Sequence, residues 1–348
     1  MRKIGLIGTI GKGKKTSSGQ EIRTKILYDA MNEYYTPERV VFVDTSLASG
    51  SKLRLLLDFA KCLLQCGDII LIVSRNGLRM FSGPLAFAQK FLHKRIYNNI
   101  IGGNIVEQID EHPAYIKRMS AYTVNWVQMK KMISDLNALG LNNVELLPNS
   151  KPITIQPPIR VPETEPYRFC TFSRISKAKG TELAIEAVRS INREAGHTAV
   201  TLDIYGVPDE DYKDTFETVM KNAPDGVTYG GVIPYEKSAD VLKPYFMLLF
   251  PTTFYGEGFP GTILDAYAAG LPVLASDWKF NGELVTDGVN GFIYEHDKPE
   301  QLKEKMLYAI AHASAVNDMR TACTAEASKY TPEKIMPIIF DKIDAPRG

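Results

Sequence analysis

Short apolar runs alternate with helical patterns along nearly the whole chain, and this alternation constrains the fold more than any other feature. In the first half the runs are residues 4–7, 40–43 and 68–73, with helical patterns at 20–34 and 52–65 between them. Continuous apolar strands separated by helices imply a parallel sheet, because parallel neighbours need a crossover and end up covered on both faces. The second half repeats the scheme, with strands expected at 169–172, 200–205, 227–229, 246–250 and 272–275 and a helix at 182–195. Between the halves Pro148, Pro152, Pro157, Pro158, Pro162 and Pro166 cluster, and prolines oppose both helix and central strand. A chain of 348 residues suits two cores. The expected fold is α/β, with two doubly wound Rossmann-like domains facing across a cleft. The expected domains are residues 1–150, residues 151–330, and a C-terminal helix in 331–348 that crosses back to the first domain. Ligands of such sheets bind outside the carboxyl ends of the strands.

Charge is distributed unevenly. Residues 1–150 hold 20 Lys and Arg against 12 Asp and Glu, and the remainder holds 21 against 28. A basic first half points to an anionic partner there, either a membrane surface or a phosphate-bearing acceptor. No nucleic-acid-binding module is visible, so nucleic acid is not expected as a partner. Phe87, Phe91 and Leu92 with Lys90, Lys94 and Arg95 read equally as a peripheral membrane patch or as an amphipathic helix with core aromatics. No apolar run approaches the roughly 20 residues that span a bilayer. The basic start turns Gly/Lys-rich at once, unlike a signal peptide. Cys62 and Cys66, spaced for one helix face among leucines, read as buried hydrophobes rather than metal ligands. Sparse cysteine suggests a reducing, cytoplasmic setting.

The densest chemical signal is the stretch from Phe250 to Val273. A buried strand ends near Pro251, a glycine-containing loop follows, and a helix starts near Gly261 and stops at Gly270. Such a loop brings backbone N–H groups close to a ligand, and the helix start adds unpaired donors and a positive dipole end, which together favour an anion such as a diphosphate. Glu257 and Asp265 place two carboxylates at the same mouth, suited to hydroxyl recognition or, equally, to capping and solvation. The segment from Phe172 to Gly180 also follows a strand, and its Arg174 and Lys179 are candidate phosphate clamps.

These residues carry a family resemblance. The pattern Glu257-Gly258-Phe259-Pro260-Gly261-Thr262 through Asp265, followed by Ala269-Gly270-Leu271-Pro272-Val273, resembles the signature of glycosyltransferase family four. The segment Arg174 to Gly180 is similar to that family's phosphate loop, Pro148-Asn149 to its pre-linker pair, and Val227 to Val232 to its base-binding strand and turn. The resemblance covers most of residues 144–300 and is closest to bacterial enzymes of capsule, exopolysaccharide or O-antigen assembly. It implies the GT-B fold and a retaining transfer from a nucleotide diphosphate sugar, UDP- or GDP-linked, to a lipid-linked or glycan acceptor. A metal is not expected. It implies catalytic roles for Glu257, Arg174 and Lys179, and donor contacts from Gly19, Val232, Gly258, Phe259, Pro260, Gly261, Thr262 and Asp265. Asp265 stands where the family usually has a second glutamate that binds the donor ribose, and it is one CH₂ shorter.

Other signals are weaker. Gly8 to Thr16 nearly matches a phosphate-binding Walker loop, but Lys15 occupies the hydroxyl position, so an ATPase is a minor alternative. A non-catalytic, nucleotide-sugar-binding subunit is the other alternative, and retention of Glu257, Asp265, Arg174 and Lys179 argues against it. Lys12, Lys14, Lys15 and Ser18 belong to the same first loop. Asp209-Glu210-Asp211 reads as a solvated helix start rather than a metal motif. Arg75, Asn76 and Arg79 after one strand, Gly102 and Gly103 after a strand at 100–101, and His112 are the acceptor-side candidates.

Overall fold

The computed structural model describes residues 2–10 and 19–346. The chain forms two compact units, one of Met1–Pro152 with Pro332–Gly348 and one of Ile153–Thr331.

The first unit contains six strands: β1 (Lys3–Gly8), β2 (Val40–Asp44), β3 (Cys66–Leu71), β4 (Arg95–Asn99), β5 (Val124–Val127) and β6 (Val144–Leu146). They form one parallel sheet in the order β2-β1-β3-β4-β5-β6. The second unit contains β7 (Tyr167–Phe172), β8 (Val200–Tyr205), β9 (Val227–Gly231), β10 (Met247–Phe250), β11 (Val273–Ser276) and β12 (Gly291–Tyr294). Its order is β12-β11-β10-β7-β8-β9, again all parallel. This is the doubly wound Rossmann arrangement, and the chain reverses direction across the sheet between β7 and β10. Helices flank both sheets, as parallel crossovers require.

Two expectations need correction. The strand placed at 100–101 is β4, which ends at Asn99, and Ile100 lies just beyond it with its N–H donating to the Trp126 carbonyl. Asn98 and Asn99 hid β4 from an apolar pattern. Both are buried in polar pairs: Asn98 donates to Asn125 at 2.9 Å, and Asn99 accepts from Arg23 at 2.9 Å. Cys62 and Cys66 do not share a helix face either. Cys62 lies in the helix Lys52–Gln65, while Cys66 opens β3 opposite Lys3. Both remain buried free thiols, as small hydrophobes would be.

The helix Pro332–Asp344 completes the first unit. Its Ile335, Met336, Ile339, Phe340 and Ile343 join the same core as Leu6, Ile70 and Trp126. Phe340 stacks on Tyr34 with centroids 4.4 Å apart and meets Tyr35 edge-on at 5.4 Å. Arg95, expected in a surface cluster, is instead an internal tie. It pairs with Asp68 at 2.6 Å and donates to the carbonyls of Ile343 and Ala345 at the end of this helix. Phe340→Ala is therefore expected to destabilise the first unit by about 3–5 kcal/mol. The measurement is urea unfolding followed by Trp126 fluorescence in a Trp278→Phe background, and an unchanged midpoint would refute the role of this helix.

Candidate active site

The crevice at the reversal point is built by the segments that follow β7 and β10. The helix Gly261–Ala268 starts there because Thr262 Oγ1 donates to the carbonyl of Phe172, the last residue of β7, at 2.7 Å. No side chain caps this helix start. Its first backbone N–H groups thus come to the carboxyl end of the sheet, where a helix terminus attracts an anion. The two loops are laced together. Thr253 N–H donates to the Ala178 carbonyl at 2.7 Å, and Gly180 packs so closely that a Cβ would lie 2.2 Å from the Pro251 carbonyl oxygen. Gly180 also has a φ of +73°, so both backbone and space require glycine.

Glu257 and Lys179 meet inside this junction. Lys179 Nζ lies 2.5 Å from Glu257 Oε2, and the two side chains are only 9% and 11% exposed. Thr252 Oγ1 donates to the same carboxylate oxygen at 3.1 Å. Thr252 is itself fixed, with its carbonyl accepting from Ser276 at the end of β11. The Phe254 ring lies beside both cations, 4.9 Å from Lys179 Nζ and 5.6 Å from the Arg174 guanidinium. Arg174 is mostly exposed and pairs with Asp209 at 3.1 Å. Asp209 thus has a partner, while Glu210 and Asp211 are exposed in the turn before the helix Lys213–Lys221, as a solvated helix start would be. Asp209 N–H also donates to the Ile175 carbonyl, which ties the acidic turn to the basic loop.

The remaining donor-side candidates have distinct placements. Asp265 sits one turn inside the helix, 2% exposed, and accepts from Ser238 Oγ at 2.8 Å. Gly258, Phe259 and Pro260 form a buried stretch. The Phe259 ring turns onto Tyr330, with centroids 5.0 Å apart, so this residue anchors the loop and offers a ligand only its backbone. Val232 is 55% exposed just past β9, two strands from β7 on the same sheet edge. Gly19 is the first residue of the helix Gly19–Tyr35 in the first unit. Lys12, Lys14, Lys15 and Ser18 lie outside the described residues.

In the first unit, a small solvent-open hollow lies at the ends of β3 and β4, lined by Ser74, Arg75, Leu78, Asn98, Ile101 and Gln108 among others. Arg75 is the acceptor-side candidate that lines it, and it is paired with Glu111. Asn76 and Arg79 are exposed on the first turns of the helix Arg75–Leu92. Gly102 and Gly103 lie in the bend after β4, where Gly102 has a φ of +87°. His112 closes the helix Ile105–Glu111 and sets its ring against Tyr115. Sequence reasoning missed Asn98 and Gln108 here, and Thr252 and Ser238 in the second unit. Thr252 was findable as a hydroxyl two residues beyond the end of an apolar strand, whereas Ser238 is distant in sequence from the acid it binds.

Two all-parallel, doubly wound units define the class of fold, and comparison with known proteins agrees. The structure of Anabaena Alr3699/HepE in complex with UDP superimposes with a TM-score of 0.72 at 15% identity, covering 99% of both chains. The lipopolysaccharide outer core galactosyltransferase WaaB, apo form, gives 0.68 at 15% identity, covering 98% of this chain and 99% of that one. The fold is GT-B. The profile of the family described as Glycosyl transferases group 1 matches residues 153–329, half of the chain, and the chain belongs to that family. An uncharacterised glycosyltransferase, MJ1069 of Methanocaldococcus jannaschii, is 22% identical over 239 residues, 68% of this chain and 57% of that protein. The amylovoran biosynthesis glycosyltransferase AmsK of Erwinia amylovora is 28% identical over 135 residues, 37% of this chain and 32% of that protein. The chain thus spans less than two thirds of these relatives' lengths.

Breaking a buried ion pair from one side strands the other charge. Lys179→Met is expected to destabilise the second unit by about 3–5 kcal/mol, and adding Glu257→Gln should restore much of that loss. Urea unfolding read by Trp278 in a Trp126→Phe background measures both, and a double variant no more stable than Lys179→Met would contradict the coupling.

Proposed function

We propose that this protein is a retaining glycosyltransferase that moves a sugar from a nucleotide diphosphate sugar to a lipid-linked or glycan acceptor in cell-surface polysaccharide synthesis, acting in the cytoplasm. The observation that carries this reading is the buried Lys179–Glu257 pair beside an uncapped helix start at the reversal point of the second sheet. The bond that breaks joins the anomeric carbon to a diphosphate oxygen, and the bond that forms joins that carbon to an acceptor hydroxyl oxygen, which gives up its proton. Negative charge grows on the leaving diphosphate. Arg174, Lys179 and the N–H groups of Gly261 and Thr262 would meet it as preorganised positive charge and dipoles. Glu257, held by Lys179 and Thr252, would orient sugar hydroxyls. Asp265 would bind the donor ribose from its seat against Ser238. A uridine donor is favoured by the relatives' own ligands, since HepE was solved with UDP-glucose and the pneumococcal GtfA with UDP and GlcNAc. With protein cations facing the diphosphate, we expect transfer to proceed without a divalent metal.

Arg174 is exposed, so its loss should act on the reaction and leave the fold intact. Arg174→Ala is expected to lower kcat by about 10²–10³-fold with an unchanged melting temperature. Wild-type turnover by this variant would remove Arg174 from the mechanism. A thermal-shift panel of UDP, GDP, ADP, dTDP and CMP tests the donor site directly. A selective ligand at a hundredfold excess over its Kd adds about 2.7 kcal/mol of stability, and the shift should survive EDTA. Stabilisation by Mg²⁺–ATP alone would favour nucleotide hydrolysis instead.

A further inference from the structure

Two neighbouring helices of the first unit each carry a second apolar face that points away from the core. The connections β2 to β3 and β3 to β4 step the same way across the sheet, so right-handed crossovers put the helices Lys52–Gln65 and Arg75–Leu92 on one face. Their inner sides touch, with the Phe59 and Phe81 rings 5.1 Å apart. On the first helix the core side is Leu55, Phe59 and Cys62. Leu53, Leu57, Ala60 and Leu64 then fall on the opposite side at the i, i+4, i+7, i+11 spacing of a single helical stripe. The three leucines are 69%, 61% and 83% exposed. The second helix repeats that spacing outward with Met80, Pro84, Phe87 and Phe91, the two phenylalanine rings lying 4.8 Å apart. Single exposed leucines are ordinary, but outward stripes on two adjacent helices put a larger apolar area on the same side of the sheet.

The charges beside the stripes select what covers them. Besides the Arg75 paired with Glu111, these helices carry Lys52, Arg54, Lys61, Arg79 and Lys90, against Asp58 as their one acidic residue, which pairs with Arg54. A second copy meeting the face isologously would set these cations against each other. A surface of anionic headgroups over acyl chains complements both the charge and the apolar stripes, as for helices that lie flat in a membrane interface. We propose that this face docks the protein on an anionic bilayer, with Leu53, Leu57, Phe87 and Phe91 entering the boundary between headgroups and acyl chains. This goes beyond the expected Lys90, Lys94 and Arg95 patch: Arg95 is an internal tie, and the preceding helix adds the exposed Leu53, Leu57 and Leu64.

The test is co-sedimentation of the full chain with vesicles of phosphatidylcholine alone or mixed with phosphatidylglycerol. Binding is expected only to the mixed vesicles, and high salt should weaken it. A Leu53→Ser/Leu57→Ser/Phe87→Ser/Phe91→Ser variant should lose binding by more than about tenfold while keeping its circular dichroism and melting temperature, because these side chains make few core contacts. Lys61→Glu/Lys90→Glu should weaken binding to the mixed vesicles about tenfold or more. Equal binding by the wild type and the serine variant overturns the proposal, as does a wild type that binds neither vesicle or both alike. A wild-type dimer in sedimentation velocity that the serine variant dissociates would instead assign the face to a second copy. Binding is read without turnover, so its outcome is separate from that of the donor assays.

Discussion

Hydrogen bonding between β7 and β10, strands that are far apart in the chain, holds the candidate site together. Phe169 stands opposite Met247 and Cys170 opposite Leu248, so the two strands end side by side at one edge of the sheet. Everything proposed for the donor follows from that edge. The loop after β7 delivers Arg174 and Lys179, and the loop after β10 delivers Thr252, Phe254 and Glu257. Thr262 then returns the next helix to the end of β7. A slip in this pairing would separate Lys179 from Glu257 and bury two unmatched charges, a cost that makes the register and the site mutually dependent.

Much of this was legible in the sequence because its signals are local. An apolar run followed by glycine, proline and a helix start identifies a βα junction without reference to the rest of the chain, and both donor loops were found that way. What escaped was non-local or polar. β4 was obscured by asparagines whose partners, Asn125 and Arg23, lie far along the chain. Ser238 cannot be linked to Asp265 before the fold is known. Asp209 looked solvated because its partner, Arg174, is distant in sequence. On the acceptor side the sequence offered residue types in loops, and of its named candidates the structure places Arg75 at the hollow.

The first unit pays for its polar interior in another way. Arg23 is buried, and among the described residues its hydrogen-bond acceptors are neutral. It donates to Asn99, Asn149 and the Leu147 carbonyl, and burial lowers its pKa to about 9. Neutral acceptors satisfy the guanidinium but do not neutralise it, so its charge is retained against desolvation by geometry alone. Because Asn149 and Leu147 flank Pro148, this one side chain fixes the direction in which the backbone leaves β6.

The placement of the helix Pro332–Asp344 has a consequence for synthesis. The second unit is contiguous in the chain and can close as soon as residue 331 has emerged from the ribosome. The first unit, although begun earlier, lacks Phe340 and its neighbours until those residues have been made. The order of completion is therefore the reverse of the order of synthesis, and the nascent first unit must keep an uncovered apolar patch in solution while the second unit folds.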